Sequence, residues 1–461
     1  MKLREAIEIS SSLKFMIESL KLQSGIGRQL LTNQEFCYDA EKLKDTFDSI
    51  QFMIGKIEGN NKMLDDFNIK LCRIKDIGGS VERLKDGSTL DDIELFEVKN
   101  FCILAEEINL ISVKNEIAPI NIPNMQAVIR ILDPDGTNSP TFYIYDAYST
   151  ELAKLRKLIK AFGNEVNDES EALRMSAEKI EDRIRQKLSE ELHPFVAKLS
   201  KAIREIASLD ILLSKSIQAI EMNLCEPVIT TATTSYSQIT NPLIEHALKK
   251  SGKRYQAIDI DIHDAPCLIT GANMAGKTVL LKTVALAQYL AQFGFYIPAK
   301  EASVCLVDKV MLCMEDKQNE LSGLSSYAAE ILEVNKIIKE AAKNRNILVL
   351  IDELAKTTNP VEGSAIVNAV LEVLDRYKVR SLITTHYGNI HYQCRRLRVK
   401  GLKDDCSSGN INEKNINDYI DYSLMETEST EVPREAVRIA EILGVDGEFI
   451  ARIREELTID N

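Results

Sequence analysis

The chain has 461 residues, 45% of them hydrophobic and 28% charged, enough for about three domains with cores of their own. Its formal charge of -13 at pH 7 argues against a surface coated for nucleic acid, although a local basic stripe can sit on an acidic body. The nine cysteines form no CxxC pair and the five histidines no ligand cluster, which argues against a disulfide scaffold or a resident metal cage and fits a reducing, cytoplasmic setting.

Residues 1–125 read as a helical core, with apolar positions recurring at three and four, as in Leu13, Met16, Ile17 and Leu20. Gly78-Gly79 and Asp86-Gly87 mark loops. Pro119, Pro123 and Pro134 then interrupt the helical pattern, and Ala127 to Leu132 and Thr141 to Tyr145, around DPDGTNSP, predict a small β-hairpin over 126–148. Residues 149–227 return to a helical stripe (Leu152, Leu155, Ile159, Ile180, Ile184, Leu188, Leu192), broken at Gly163 to Asp168 and at His193-Pro194. That pattern predicts an antiparallel coiled-coil arm. Its basic residues alternate with Glu and Asp, so the face reads as solvated, with a DNA-touching clamp as the alternative. Residues 228–400 alternate strand and helix as an α/β sheet does. The last part, 401–461, reads as a loop rich in Asp and Asn, a strand at Tyr419 to Leu424 and a helical pair turning at Gly444. MKLREAIEIS has no signal-peptide core, and the most apolar helical stretch, Val279 to Phe293, carries Lys282 and Gln288, so no membrane span is predicted.

The chemistry is concentrated in the α/β part. Cys267-Leu-Ile leads into Gly271-Ala-Asn273-Met274-Ala-Gly276-Lys277-Thr278-Val279, a strand, phosphate loop and helix. The glycines let successive N–H groups face phosphate oxygens, Lys277 reaches the terminal phosphates, and the Thr278 hydroxyl is placed for Mg²⁺ at the positive end of the helix. Ile347 to Ile351 followed by Asp352-Glu353 reads as a buried parallel strand delivering two carboxylates. Asp352 would hold the Mg²⁺ shell and Glu353 would orient and deprotonate water. A third strand, Ser381 to Thr384, ends in Thr385-His386, and His386 is placed to sense a γ-phosphate. Between them Ser322-Gly-Leu-Ser325-Ser precedes a helical pattern. In the order phosphate loop, this segment, acidic strand and histidine strand, it reads as the signature segment of an ABC-type ATPase. There Ser325 would complete the site of a second subunit.

GANMAGKT, GFYIPAKEA, GLSSYAAE, LVLIDELAKTTNPVEG and TTHY resemble, in order and spacing, the ATPase domain of MutS-family proteins, strongly over about Asn241 to Asn389. The resemblance implies a multidomain chain: an N-terminal all-α core and lever with a coiled-coil arm, then an α/β P-loop (ABC-type) ATPase domain and a C-terminal dimerisation segment. It also implies ATP and Mg²⁺ as cofactors, a homodimer or a heterodimer with a related chain, and an aromatic stacked on adenine, for which Tyr255 is the candidate. Departures narrow the reading. No Phe-x-Glu occurs, which argues against mismatch recognition, and the expectation is a truncated branch lacking both the mismatch-recognition and the nuclease-like domains. The family Gly and Arg after the acidic pair are Ala355 and Lys356. The expectation is a nucleotide-driven dimeric clamp on DNA that is not mismatch-specific. The alternative is an ATP-dependent remodelling factor whose client is a cobalamin-dependent aminomutase.

Overall fold

The computed structural model describes residues 1–137, 144–162, 167–272, 276–314, 326–356, 358–403, 416–428, 436–442 and 444–459. The chain divides into two compact units. One gathers Met1–Ser19, Glu35–Asp48 and Gln218–Asn461, and the other takes Leu20–Gln34 and Ser49–Ile217.

The second unit is helical. Its helix Asp92–Lys114 starts at a capping box, where Asp91 Oδ1 accepts the Glu94 N–H at 2.9 Å and Glu94 Oε2 accepts that of Asp91 at 3.0 Å. Within the same unit the buried Asp210 carboxylate accepts N–H groups from Gln23 (3.0 Å) and Ser24 (2.8 Å), fixing the entry to the helix Gly25–Thr32. The expected hairpin is corrected: Ala127 to Leu132 lies in a helix, Gln126–Leu132, and Thr141 to Tyr143 fall outside the described residues. Tertiary contacts override the β-branched composition. The Glu106 carboxylate accepts the Met125 N–H at the helix start, and Val128 and Leu132, four apart, are both buried. Gly78-Gly79 is likewise the first turn of a helix, Gly78–Lys85, with Asp76 Oδ1 accepting the Gly78 N–H at 2.8 Å. Helices Thr150–Phe162, Asp168–Leu192 and Val196–Glu221 follow, the last two separated by a single 3₁₀ turn at His193–Phe195.

The first unit holds all the described strands: β1 (Pro227–Thr230), β2 (Thr234–Ile239), β3 (Ile258–Ile262), β4 (Pro266–Thr270), β5 (Glu301–Cys305), β6 (Lys309–Cys313), β7 (Ile347–Ile351), β8 (Arg380–Thr384), β9 (Arg395–Leu402) and β10 (Ile420–Glu426). Four form a sheet in the order β1-β5-β2-β3, and six a sheet in the order β10-β9-β4-β8-β7-β6. In the six-stranded sheet β9, β4, β8, β7 and β6 run parallel and β10 returns antiparallel to β9. β4 and β7 are buried at all five positions, the pattern of parallel strands covered on both faces. β8 lies between them, so the strand before the glycine-rich loop and the strand ending in Asp352-Glu353 flank the one leading to His386.

The helix Lys277–Gln292 is buried almost all round, as a core helix is. Its two glutamines are satisfied inside. Gln292 Nε2 donates to the carbonyls of Cys37 and Val307 at 2.9 Å each, and its Oε1 accepts from Gln288 Nε2 at 2.7 Å and Val307 N at 3.1 Å. Residues 1–19 and 35–48 pack on this helix. Phe36 meets Phe293 with ring centroids 5.3 Å apart, and the buried Asn241 donates to both Ser12 Oγ (3.1 Å) and Thr283 Oγ1 (3.4 Å).

Candidate active site

The site forms where β4, β7 and β8 end. Gly276 adopts φ +77 and starts the helix Lys277–Gln292, and a Cβ there would stand 3.0 Å from the Tyr422 ring, so conformation and space both demand glycine. The Lys277 ammonium donates to the carbonyls of Gly271 (2.8 Å) and Ala272 (3.1 Å). Burial lowers its pKa, and the nearby Glu353 and Asp352 carboxylates oppose that shift.

One buried hydroxyl organises the acidic pair. Thr278 Oγ1 donates to Asp352 Oδ2 at 2.6 Å and Thr384 Oγ1 donates to Asp352 Oδ1 at 2.7 Å, so both carboxylate oxygens are held. Thr384 Oγ1 also accepts the Glu353 N–H at 2.7 Å, and the Thr384 carbonyl accepts that of Leu354 at 3.2 Å. Glu353 has φ +47 and Ala355 φ +63, left-handed values that cost a non-glycine residue energy and persist only where the surroundings impose them. Here they do. Glu330 Oε1 accepts the Ala355 N–H at 2.6 Å, and the Tyr387 hydroxyl donates to the carbonyl of Ala355 at 2.6 Å.

The Glu353 carboxylate pairs with Lys356 Nζ at 2.9 Å. Burial alone would raise its pKa, but the hydrogen bond and charge of Lys356, with help from Lys277 and His386, hold it below the usual carboxylate range. His386 is half-buried and its pKa is lowered by that burial, which outweighs the attraction of Glu353. Lys277, Asp352, Glu353, Lys356 and His386 thus form one electrostatic group.

Thr278 and Asp352 supply hard oxygen donors side by side at a helix N-terminus. Among the described residues no group of three or more His, Cys, Asp or Glu could hold a metal by itself. That donor set fits Mg²⁺ shared with phosphate oxygens rather than a cation caged by protein alone.

The expected residues Gly271, Gly276, Lys277, Thr278, Asp352, Glu353 and His386 are gathered in this corner, with Val279 in the first turn of the helix. Asn273, Met274 and Ser325 lie outside the described residues. Tyr255, in the segment before β3, meets that helix farther along, its hydroxyl 3.4 Å from Thr283 Oγ1. Sequence reasoning missed Thr384, Glu330 and Tyr422. A polar residue closing the apolar run Ser381 to Ile383 signals the first. Nothing local signals Tyr422, which Gln256 positions by accepting its N–H at 3.1 Å while donating to Asp421 Oδ1 at 2.8 Å.

A helical unit, and an α/β unit whose parallel strands end at a helix N-terminus and an acidic pair, form the class of protein in which ligands bind beyond the carboxyl ends of the strands. Residues 267–458 match the family model for MutS domain V. The chain is 27% identical over 381 residues to an "Endonuclease MutS2" of Caldicellulosiruptor bescii, covering 80% of this chain and 45% of that protein. It is 33% identical over 221 residues to an "Endonuclease MutS2" of Thermus thermophilus (48% of this chain, 28% of that protein). It is 29% identical over 281 residues to a "DNA mismatch repair protein MutS" of Clostridium kluyveri (59% and 31%). Residues 267–458 belong to the MutS domain V family, and the chain spans less than half the length of these curated relatives. No helix among the described residues is long and apolar enough to cross a membrane.

Proposed function

We propose that this chain hydrolyses ATP with Mg²⁺ and uses the cycle to drive a dimeric clamp on DNA that does not depend on mismatches. The observation that carries the hydrolytic reading is the Thr278–Asp352–Thr384–Glu353 relay, which ties the helix N-terminus to the acidic pair through bonds of 2.6 to 2.7 Å. Thr278 and Asp352 would hold Mg²⁺, which would supply charge neutralisation to the phosphates, and Lys277 binds the terminal phosphates. Glu353 takes a proton from water as the water oxygen bonds to the γ-phosphorus. The bond from that phosphorus to the β,γ-bridging oxygen breaks, and its electron pair leaves with ADP. Ser325 of one subunit completes the site of the other, so the dimer is part of the mechanism, and either Tyr255 or Tyr422 walls the base.

Lys277→Ala is expected to abolish nucleotide binding, and Glu353→Gln to bind ATP without turnover. A Glu353→Gln protein with the wild-type rate would remove Glu353 from the role of base. Mobility shifts with branched DNA at low and physiological salt test the client, because phosphate contacts give a steep salt slope. The net charge of -13 favours a second reading, an ATP-driven remodelling factor with a protein client, the aminomutase being the case in point. The absence of any DNA shift at low salt would select it.

A further inference from the structure

The turn that carries Glu353 and Lys356 is pinned along its backbone. Thr384 holds the N–H groups of Glu353 (2.7 Å) and Leu354 (3.2 Å), and Glu330 and Tyr387 hold the N–H and carbonyl of Ala355 at 2.6 Å each. The Lys356 N–H closes the turn on the Glu353 carbonyl at 3.1 Å. A backbone fixed in left-handed conformations from three directions cannot swing the carboxylate into place. Any difference between a resting and a working site must therefore lie in the side chains. Of these, Lys356 Nζ sits 2.9 Å from Glu353 Oε2, with side-chain exposures of 46% for the lysine and 25% for the glutamate.

We propose that Lys356 is a positioning residue that restrains Glu353 until the γ-phosphate of a nucleoside triphosphate draws its ammonium away. The inference rests on the nucleotide reading above and concerns regulation of that same site. A carboxylate that already accepts from an ammonium is the weaker base toward water and is held toward the lysine. The pair is half exposed and screened, so it is weakly held. A terminal phosphate seated at Lys277 brings more negative charge than one carboxylate and competes for the lysine. A diphosphate has no group at that place and leaves the pair intact. Lys356 thereby reads the one chemical difference between ATP and ADP and passes it to the base. Among the described residues, the charged groups acting on Glu353 besides Lys356 are Lys277 at the start of its helix and His386 beyond β8, while Asp352 adjoins it in the chain and the Glu330 carboxylate is turned to the Ala355 N–H.

The test uses the full chain as wild type, Lys356→Met and Lys356→Arg, with titrations of ATPγS and of ADP and with steady-state hydrolysis. Lys356→Met should weaken ATPγS about fivefold and leave ADP within about twofold, a difference equivalent to about 1 kcal/mol. Retained ADP binding also certifies the fold. Lys356→Arg should restore the preference for the triphosphate. In Lys356→Met the loss in hydrolysis should fall on KM for ATP rather than on kcat, because the pair is already broken in the ATP complex. Equal weakening of both nucleotides, or a loss confined to kcat, overturns the proposal. A wild-type protein that binds neither nucleotide overturns the nucleotide reading itself. Binding of both, with the preference unchanged in Lys356→Met, overturns only the restraint.

Discussion

The ring of Tyr387 fills the space that a side chain at Gly363 would need: a Cβ there would come within 2.4 Å of its Cε2 and Cζ atoms. Gly363 lies in the first turns of the helix Pro360–Arg376, where alanine would ordinarily be favoured by about 1 kcal/mol. The ring cannot step aside easily, because its hydroxyl is bonded to the carbonyls of Ala355 (2.6 Å) and Thr358 (3.2 Å). Gly363→Ala should therefore destabilise by about 1–3 kcal/mol, read as a lower urea midpoint. An unchanged midpoint would mean that the ring yields.

Thr384 is fully buried and its single hydroxyl serves Asp352 and Glu353 together. Thr384→Val keeps the shape and removes both bonds. It should cost about 1–3 kcal/mol of stability, since it orphans the Glu353 N–H. It should also slow hydrolysis more than it weakens ATP binding, because the base loses its place while Lys277 keeps its own. Parallel measurement of kcat and of ATP affinity separates the two effects.

Ala355 occupies φ +63, where its Cβ is strained. Ala355→Gly should raise stability by about 0.5–1 kcal/mol, the relief exceeding the extra chain entropy of glycine. A calorimetric scan checks the sign, and a lower Tm would show that Glu330 and Tyr387 have already absorbed the strain.

His386 titrates below its ordinary value of 6.5 because burial disfavours the imidazolium, and Lys277 and Lys356 push the same way against Glu353. The unfolded chain then binds more protons than the folded one just below pH 6.5. Stability contributed by the neutral ring is full above that pH and is lost as pH falls through the folded value. His386→Asn should flatten this part of the stability curve, as chemical denaturation at successive pH values would register. A mutant curve parallel to wild type would refute the assignment.

Gln292 is fully buried and makes side-chain bonds to Cys37, Gln288 and Val307. Gln292→Leu preserves volume but leaves carbonyl and N–H groups unpaired in a dry place, at about 1–3 kcal/mol each. The loss should be larger than for Gln256→Leu at the half-exposed Tyr422 contact. Hydrogen exchange should show the Val307 amide, which donates to Gln292 Oε1 at 3.1 Å, losing protection first.

Parallel strands buried on both faces announce themselves as unbroken apolar runs, so β4, β7 and β8 were legible in Cys267 to Ile269, Ile347 to Ile351 and Ser381 to Thr384. The meeting of Lys277 and Thr278 with the acidic pair was legible for the same reason: each is written in consecutive residues at the end of such a strand. Ala127 to Leu132 was not, because β-branched composition lost to a cap supplied by Glu106 and to burial at Val128 and Leu132. Tyr422 and Glu330 were invisible for another reason. Each acts on a residue far away in sequence, and no local pattern encodes which distant backbone a side chain will meet.

The helix that begins at Lys277 is walled in part by the first residues of the chain. Phe36 meets Phe293, Cys37 and Gln292 exchange N–H and carbonyl bonds, and Ser12 is tied through Asn241. A ribosome releases Leu13, Met16 and Phe36 long before the residues that cover them exist. During synthesis these side chains stay wet or in the hands of a chaperone, and a fragment that starts at Gln218 is born with a bare flank. The α/β unit is therefore not a cassette that can be cut out and moved. It closes only when the beginning of the chain returns to its end.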